Sequence, residues 1–212
     1  MNATAPIEGF LTRGPVLPVL VVPDAEAAVP LARALATGGL EVLEITLRTE
    51  AALEAIRRIQ GELPGVAVGA GTVLNRRQMK QAMKAGAAFA VSPGTSEELL
   101  DASGELGLPL LPGVATASEA MALLERGLRF AKFFPAGPAG GPAYLKSLAD
   151  PLPELRFCPT GGIDAVTAVD YLRLPNVVCV GGSWVAPKSL VAEGSWDAIT
   201  RLARDAAGLR RS

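Results

Sequence analysis

The chain contains no histidine among its 212 residues. That absence removes histidine-based triads, imidazole general bases, HExxH zinc sites and proximal haem ligation together. Cysteine is scarce: Cys158 and Cys179 are the only two, and their spacing matches no CxxC or metal-ligand pattern. Each sits in an apolar run, Phe157-Cys158-Pro159 and Val178-Cys179-Val180, so both are expected to be buried, reduced thiols. Neither sign of charge predominates. Twenty basic residues face 21 acidic ones, a net charge of −1 that leaves no basic footprint for nucleic acid. No apolar run approaches the ~20 residues of a membrane span. The longest near the start, Val16 to Val22, is interrupted by Pro18. No basic stretch leads into an apolar segment as in a secretory leader. The expectation is a soluble, cytoplasmic protein with neither membrane nor nucleic acid as a partner. What is present is apolar residue: half the chain, against 19% charged, enough for a large core and too little charge for disorder.

Short β-branched segments alternate with longer Ala/Leu/Arg/Glu segments of helical period, the signature of βα units around a parallel sheet. Eight strands are predicted: Val16–Val22, Val42–Leu47, Val66–Thr72, Phe89–Pro93, Pro109–Val114, Phe130–Pro135, Arg156–Gly161 and Val177–Gly182. Asp24, Asn75, Ser96, Asp164 and Ser195 are candidate helix N-caps, and Thr95-x-x-Glu98 and Thr116-x-x-Glu119 fit the capping box. Gly38, Gly86 and Gly127 follow helical runs, where a left-handed residue is wanted. The expected fold is α/β, a (β/α)8 TIM barrel in a single domain over residues 1–212. A short N-terminal arm or helix is expected over residues 1–14, and a frayed tail from Gly208 to Ser212. A doubly wound nucleotide-binding sheet is rejected. Gly69-Ala70-Gly71-Thr72-Val73-Leu74 has leucine where the third fingerprint glycine belongs, and no G-x-x-x-x-G-K-[ST] loop occurs.

In a barrel, alternate strand residues point inward, and the C-terminal strand ends form the working face. In Val42-Leu43-Glu44-Ile45-Thr46-Leu47-Arg48, the polar residues Glu44, Thr46 and Arg48 share one parity. The apolar parity suits packing on helices, which sends the polar one inward. A carboxylate and a guanidinium are costly there unless paired, so a structural Glu–Arg pair or a solvated strand end is the plain alternative. Lys132 is the second anomaly, sharing parity with Phe130 and Phe134. A free lysine, with a pKa of about 10.4, is almost wholly protonated at pH 7. Desolvation favours the neutral amine that attacks carbonyls. Snorkelling to solvent is the plain alternative here. Third are the glycine-rich ends Pro159-Thr160-Gly161-Gly162-Ile163 and Val180-Gly181-Gly182-Ser183-Trp184, closing predicted strands seven and eight. Many barrels bind phosphate there, although paired glycines also serve ordinary tight turns.

At these residues the chain resembles the 2-keto-3-deoxy-6-phosphogluconate (KDPG) aldolase family, with its 4-hydroxy-2-oxoglutarate (KHG) aldolase activity. The resemblance runs from about Gly14 to the final helix. It rests on Glu44-Ile45-Thr46-Leu47-Arg48-Thr49, Gly69-Ala70-Gly71-Thr72-Val73, Ser92-Pro93-Gly94, Leu111-Pro112-Gly113, Lys132-Phe133-Phe134-Pro135-Ala136 and the two glycine-rich ends, in that order. It implies a (β/α)8 barrel, assembled as a homotrimer, that takes a small keto-acid phosphate and uses no metal or other cofactor beyond a covalent Schiff base. On the matching positions it implies Lys132 as the Schiff-base lysine and Glu44 as the general acid/base. Arg48 and Thr72 would hold the pyruvyl carboxylate, Pro93 and Phe134 line the pocket, and Thr160 lie near the substrate hydroxyls. Gly161, Gly162, Gly182 and Ser183 would bind phosphate. One departure is Gly137, where the pattern expects glutamate. The alternatives are a related aldolase preferring 2-keto-3-deoxy-6-phosphogalactonate and, in another class, a non-catalytic phosphosugar-binding barrel.

Overall fold

The β-branched segments form strands and the segments between them form helices. The computed structural model describes residues 5–209; residues 1–4 of the expected arm and 210–212 of the expected tail lie outside the described residues. The first half of the chain runs α1 (Ala5–Leu11), β1 (Val16–Leu20), α2 (Ala28–Thr37), β2 (Val42–Thr46), α3 (Ala52–Glu62), β3 (Ala67–Gly71), α4 (Arg76–Lys84), β4 (Ala90–Val91) and α5 (Glu97–Leu106). The second half continues with β5 (Leu110–Leu111), β6 (Gly113–Val114), α6 (Ala117–Glu125), β7 (Phe130–Phe133), α7 (Gly141–Ser147), β8 (Arg156–Pro159), α8 (Ala168–Leu172), β9 (Val180–Gly182), α9 (Lys188–Ala192) and α10 (Trp196–Ala207).

Every strand pair is parallel, as alternating βα units require. The strands form a curled α/β arrangement of two sheets, ordered β5-β4-β3-β2-β1-β9 and β6-β7-β8. One uninterrupted eight-stranded sheet was the expectation. The difference arises at Pro112, inside the predicted fifth strand: proline has no N–H to give to a ladder. Residues before it pair with β4, while Gly113 and Val114 pair with β7. Isolated bridges Phe157↔Val177 and Thr160↔Gly181 run between β8 and the segment that ends in β9.

Two apolar layers follow from strand alternation. Leu43, Ile45, Val68 and Ala70 belong to the layer shared with the surrounding helices. Leu17, Val42, Phe89, Val91, Leu111 and Phe130 form a separate inner cluster with both cysteines. Ile7 and Leu11 of α1 join this cluster and are almost wholly buried. Each such side chain contributes about 1.5–3 kcal/mol by leaving water.

Local signals at helix ends were mostly read correctly. Asp24, Asn75 and Ser96 accept the N–H of Glu26, Gln78 and Leu99, and Thr116 with Glu119 completes a capping box. Thr95 does not form the second box: its hydroxyl donates to the Gly113 carbonyl, leaving Ser96 to cap α5. Ser195 makes no capping bond, and Asp164 accepts from Val166 and Thr167 in a turn ahead of α8. After α2 the left-handed residue is Gly39 (φ 97°), not Gly38. Gly38 is instead pressed against α10, where a Cβ would lie 2.4 Å from that of Ala203.

Candidate active site

Alternation along β2 sends Leu43 and Ile45 to the helices and Glu44 inward. Glu44 lies opposite Gly69 of β3, two residues before Gly71. A Cβ on Gly71 would sit 2.1 Å from Glu44 Oε1, so the carboxylate occupies space that only glycine leaves open. From the other sheet, Lys132 of β7 brings Nζ to 3.3 Å from the same oxygen. The two side chains are 7% and 1% exposed, and they meet across 88 residues of sequence. The snorkelling alternative for Lys132 therefore fails, and the partner of Glu44 is Lys132 rather than Arg48. Phe134 stands over the ammonium, 5.5 Å from Nζ to ring centroid. Phe130, which shares that parity, belongs to the inner apolar cluster.

A buried ion pair is a poor device for stability alone, because desolvation consumes most of its attraction. This pair opens onto a cavity of about 460 Å³ at the C-terminal ends of the strands. Glu44 Oε2 is buried and accepts no hydrogen bond, leaving one carboxylate oxygen uncommitted. Arg48, Thr72, Pro93, Phe134, Thr160, Gly161, Gly162 and Ser183 line the same cavity, each a predicted site residue. Gly182 does not line it. A Cβ there would run into the Trp184 ring, and the neighbouring Gly181 faces the cavity beside Thr160 instead. A one-residue offset on a strand exchanges faces, and a Gly-Gly pair gives the sequence no side chain by which to choose.

Thr72 is the one non-glycine residue with positive φ among those described, at 59°. Such a conformation costs about 1–3 kcal/mol and persists where the surroundings impose it. Gly161 and Gly162 are left-handed in succession (φ 101° and 75°), which other residues adopt poorly. Gly137, the departure from the family pattern, gives its N–H to the Gly161 carbonyl at 2.9 Å. A Cβ there would meet nothing nearer than 3.5 Å, so space does not demand glycine at that position.

Val19, Val21, Thr46, Ile163 and Lys188 also line the cavity and were not singled out as site residues. Thr46 was legible by parity with Glu44, and its hydroxyl donates to the Leu20 carbonyl at 2.9 Å. Lys188 opens α9, beyond the last predicted strand, where no spacing motif flags it.

The glycine at position 71 gives a direct check on this packing. Gly71→Ala is expected to lower kcat by about 10²-fold, because displacing a reacting group by an ångström has that scale of effect. Circular dichroism should show the fold retained, while steady-state kinetics show the loss.

A buried amine and carboxylate side by side on a cavity wall are what one class of carbon–carbon lyases, the Schiff-base aldolases, requires. The chain belongs to the KDPG and KHG aldolase family, whose model matches residues 7–202. The KHG/KDPG aldolase of Escherichia coli is 52% identical over 199 residues, covering 94% of this chain and 93% of that one. A crystal structure of the Zymomonas mobilis KDPG aldolase with 3-phosphoglycerate is 48% identical, with a TM-score of 0.91 and 97% of each chain covered. The Legionella pneumophila KDPG aldolase, with pyruvate captured as a covalent carbinolamine intermediate, is 44% identical, with a TM-score of 0.93. It covers 95% of this chain and 98% of that one.

Proposed function

We propose that this chain cleaves KDPG to pyruvate and glyceraldehyde 3-phosphate, and KHG to pyruvate and glyoxylate, through a Schiff base on Lys132. The observation that carries this reading is the buried Lys132–Glu44 contact on the cavity wall. In its neutral form the amine adds to the C2 ketone and water leaves, giving an iminium. Glu44 takes the proton of the C4 hydroxyl, the C3–C4 bond breaks, and its electron pair flows into the iminium to give an enamine. The aldehyde departs, C3 of the enamine is protonated, and hydrolysis frees pyruvate and the amine. A carbanion beside a ketone is poor without such a sink, so the covalent route divides one hard step into easier ones. The iminium supplies that sink within the chain, and the reading includes no metal or cofactor.

Arg48 offers a planar fork to the pyruvyl carboxylate, with Thr72 beside it. Pro93 and Phe134 wall the pyruvyl end, and Thr160 serves the substrate hydroxyls. Gly161, Gly162 and Ser183 cradle the phosphate, and Gly181 replaces Gly182 on the wall. The reading includes one domain closed as an eight-stranded barrel. The bridges Phe157↔Val177 and Thr160↔Gly181 support closure on one side, and on the other only Pro112 separates β5 from β6. Assembly as a homotrimer in the cytoplasm rests on the family resemblance. No helix among the described residues is long and apolar enough to cross a membrane.

Borohydride reduction in the presence of pyruvate tests the reading. The peptide containing Lys132 should gain pyruvic acid less one oxygen, identified by mass spectrometry. Active enzyme without that adduct overturns the Schiff-base assignment, and a barrel that only binds phosphosugar gives neither adduct nor turnover.

A further inference from the structure

Charge on the cavity wall is unbalanced. Glu44 is the only carboxylate among the lining residues, and Lys132 already engages it. Two further cations line the wall, Arg48 and Lys188, and neither takes part in an ion pair among the described residues. They stand on different elements. Arg48 follows β2, while Lys188 follows β9, separated from it by the β1 end with Val19 and Val21. Lys188 also borders a second, adjoining cavity of about 620 Å³, whose wall includes Trp184, Ala186 and Val191. Val19, Val21 and Ser183 are common to both cavities. Lys188 thus stands, exposed to solvent, where the polar cavity meets an apolar wall.

We propose that Lys188 reads the anionic group on the aldehyde portion of the substrate and sets the preference for charged over uncharged aldehydes. This rests on the aldolase reading above and extends it. A substrate with a carboxylate at one end and a phosphate at the other presents two anions to two unpaired cations. Arg48 serves the first, beside Thr72. Lys188, which shares its stretch of wall with Ser183, serves the second. An aldehyde portion without charge leaves the Lys188 ammonium unmatched. The contact is made in the ground state and kept in the transition state, so it acts on KM more than on kcat.

The test compares KDPG with its unphosphorylated counterpart, 2-keto-3-deoxygluconate, on wild type, Lys188→Met and Lys188→Arg. Lys188→Met should lower the ratio of the two kcat/KM values about 10-fold, the scale of one charge-assisted contact. The fall should come through KM for KDPG, which should also lose much of its dependence on salt. Lys188→Arg should hold the ratio near that of wild type. An unchanged ratio in Lys188→Met, or equal losses on both substrates, overturns the assignment. The pyruvate–borohydride adduct separates this failure from that of the aldolase reading. If Lys188→Met forms the adduct on Lys132 but keeps the wild-type ratio, only the role of Lys188 falls. If wild type forms no adduct, both fall.

Discussion

Lys132→Met is expected to lower kcat/KM for KDPG by about 10⁴-fold or more, the scale of losing the nucleophile of a covalent mechanism. Methionine matches the length and bulk of the removed chain but has no amine to condense with a ketone. The same change should also destabilise the fold. It leaves Glu44, 1% exposed, as a buried carboxylate without its counter-ion. Breaking a buried pair from one side costs about 3–5 kcal/mol, a large share of the 5–15 typical of a folded protein. Urea unfolding should therefore show a lower midpoint for Lys132→Met. Lys132→Met combined with Glu44→Gln should recover much of the lost stability and none of the activity, since the buried charge is then gone. Turnover in Lys132→Met within tenfold of wild type would remove the amine from the mechanism.

The second large effect is expected at Glu44. Glu44→Gln keeps the shape of the side chain and its ability to accept from Lys132, but removes the base. Proton transfer by a positioned carboxylate contributes about 10²–10⁴-fold, and kcat should fall by that amount. Schiff-base formation is a separate step, so borohydride should still fix pyruvate to Lys132 in this variant. Exchange of the pyruvate methyl protons with deuterated water, followed by NMR, isolates the role further. Wild type should exchange them through the enamine, and Glu44→Gln should do so far more slowly. Glu44 Oε2, which accepts no hydrogen bond among the described residues, is free to receive such a proton. Wild-type exchange and wild-type cleavage in Glu44→Gln would assign the acid/base work elsewhere.

Much of this site was legible because strands alternate. Parity alone placed Glu44, Thr46 and Arg48 on one face, and the cavity takes all three. The encounter of Glu44 with Lys132 was not legible from either segment, because it is a tertiary contact between strands of different sheets. Parity grouped Lys132 with Phe130 and Phe134, and among the described residues Phe134 is the ring that lies over its Nζ. The glycine-rich ends were found as segments, but which glycine of the Gly181-Gly182 pair lines the cavity was not legible, because glycine carries no facial preference. Lys188 escaped notice because its position depends on how the chain turns after β9, which no periodicity encodes. In the fold, eight strand segments were recognisable from β-branched residues. Their true lengths were not, since proline and glycine shorten ladders in ways that depend on the neighbouring strand. Helix boundaries were best read where a side chain caps its own backbone, as at Asn75 and Thr116. They failed where a more distant acceptor competed, as the Gly113 carbonyl does for Thr95.

Lys132 and Glu44 belong to strands of different sheets, one in the three-stranded set and one in the six-stranded set. A polypeptide cut between α5 and β7 leaves each reagent on its own fragment, and neither fragment holds a working pair. Catalysis in such a nicked protein returns only by reassociation of the pieces. Enzymatic turnover is for that reason a sensitive reporter of complementation, and of whether refolding has united both ends of the chain.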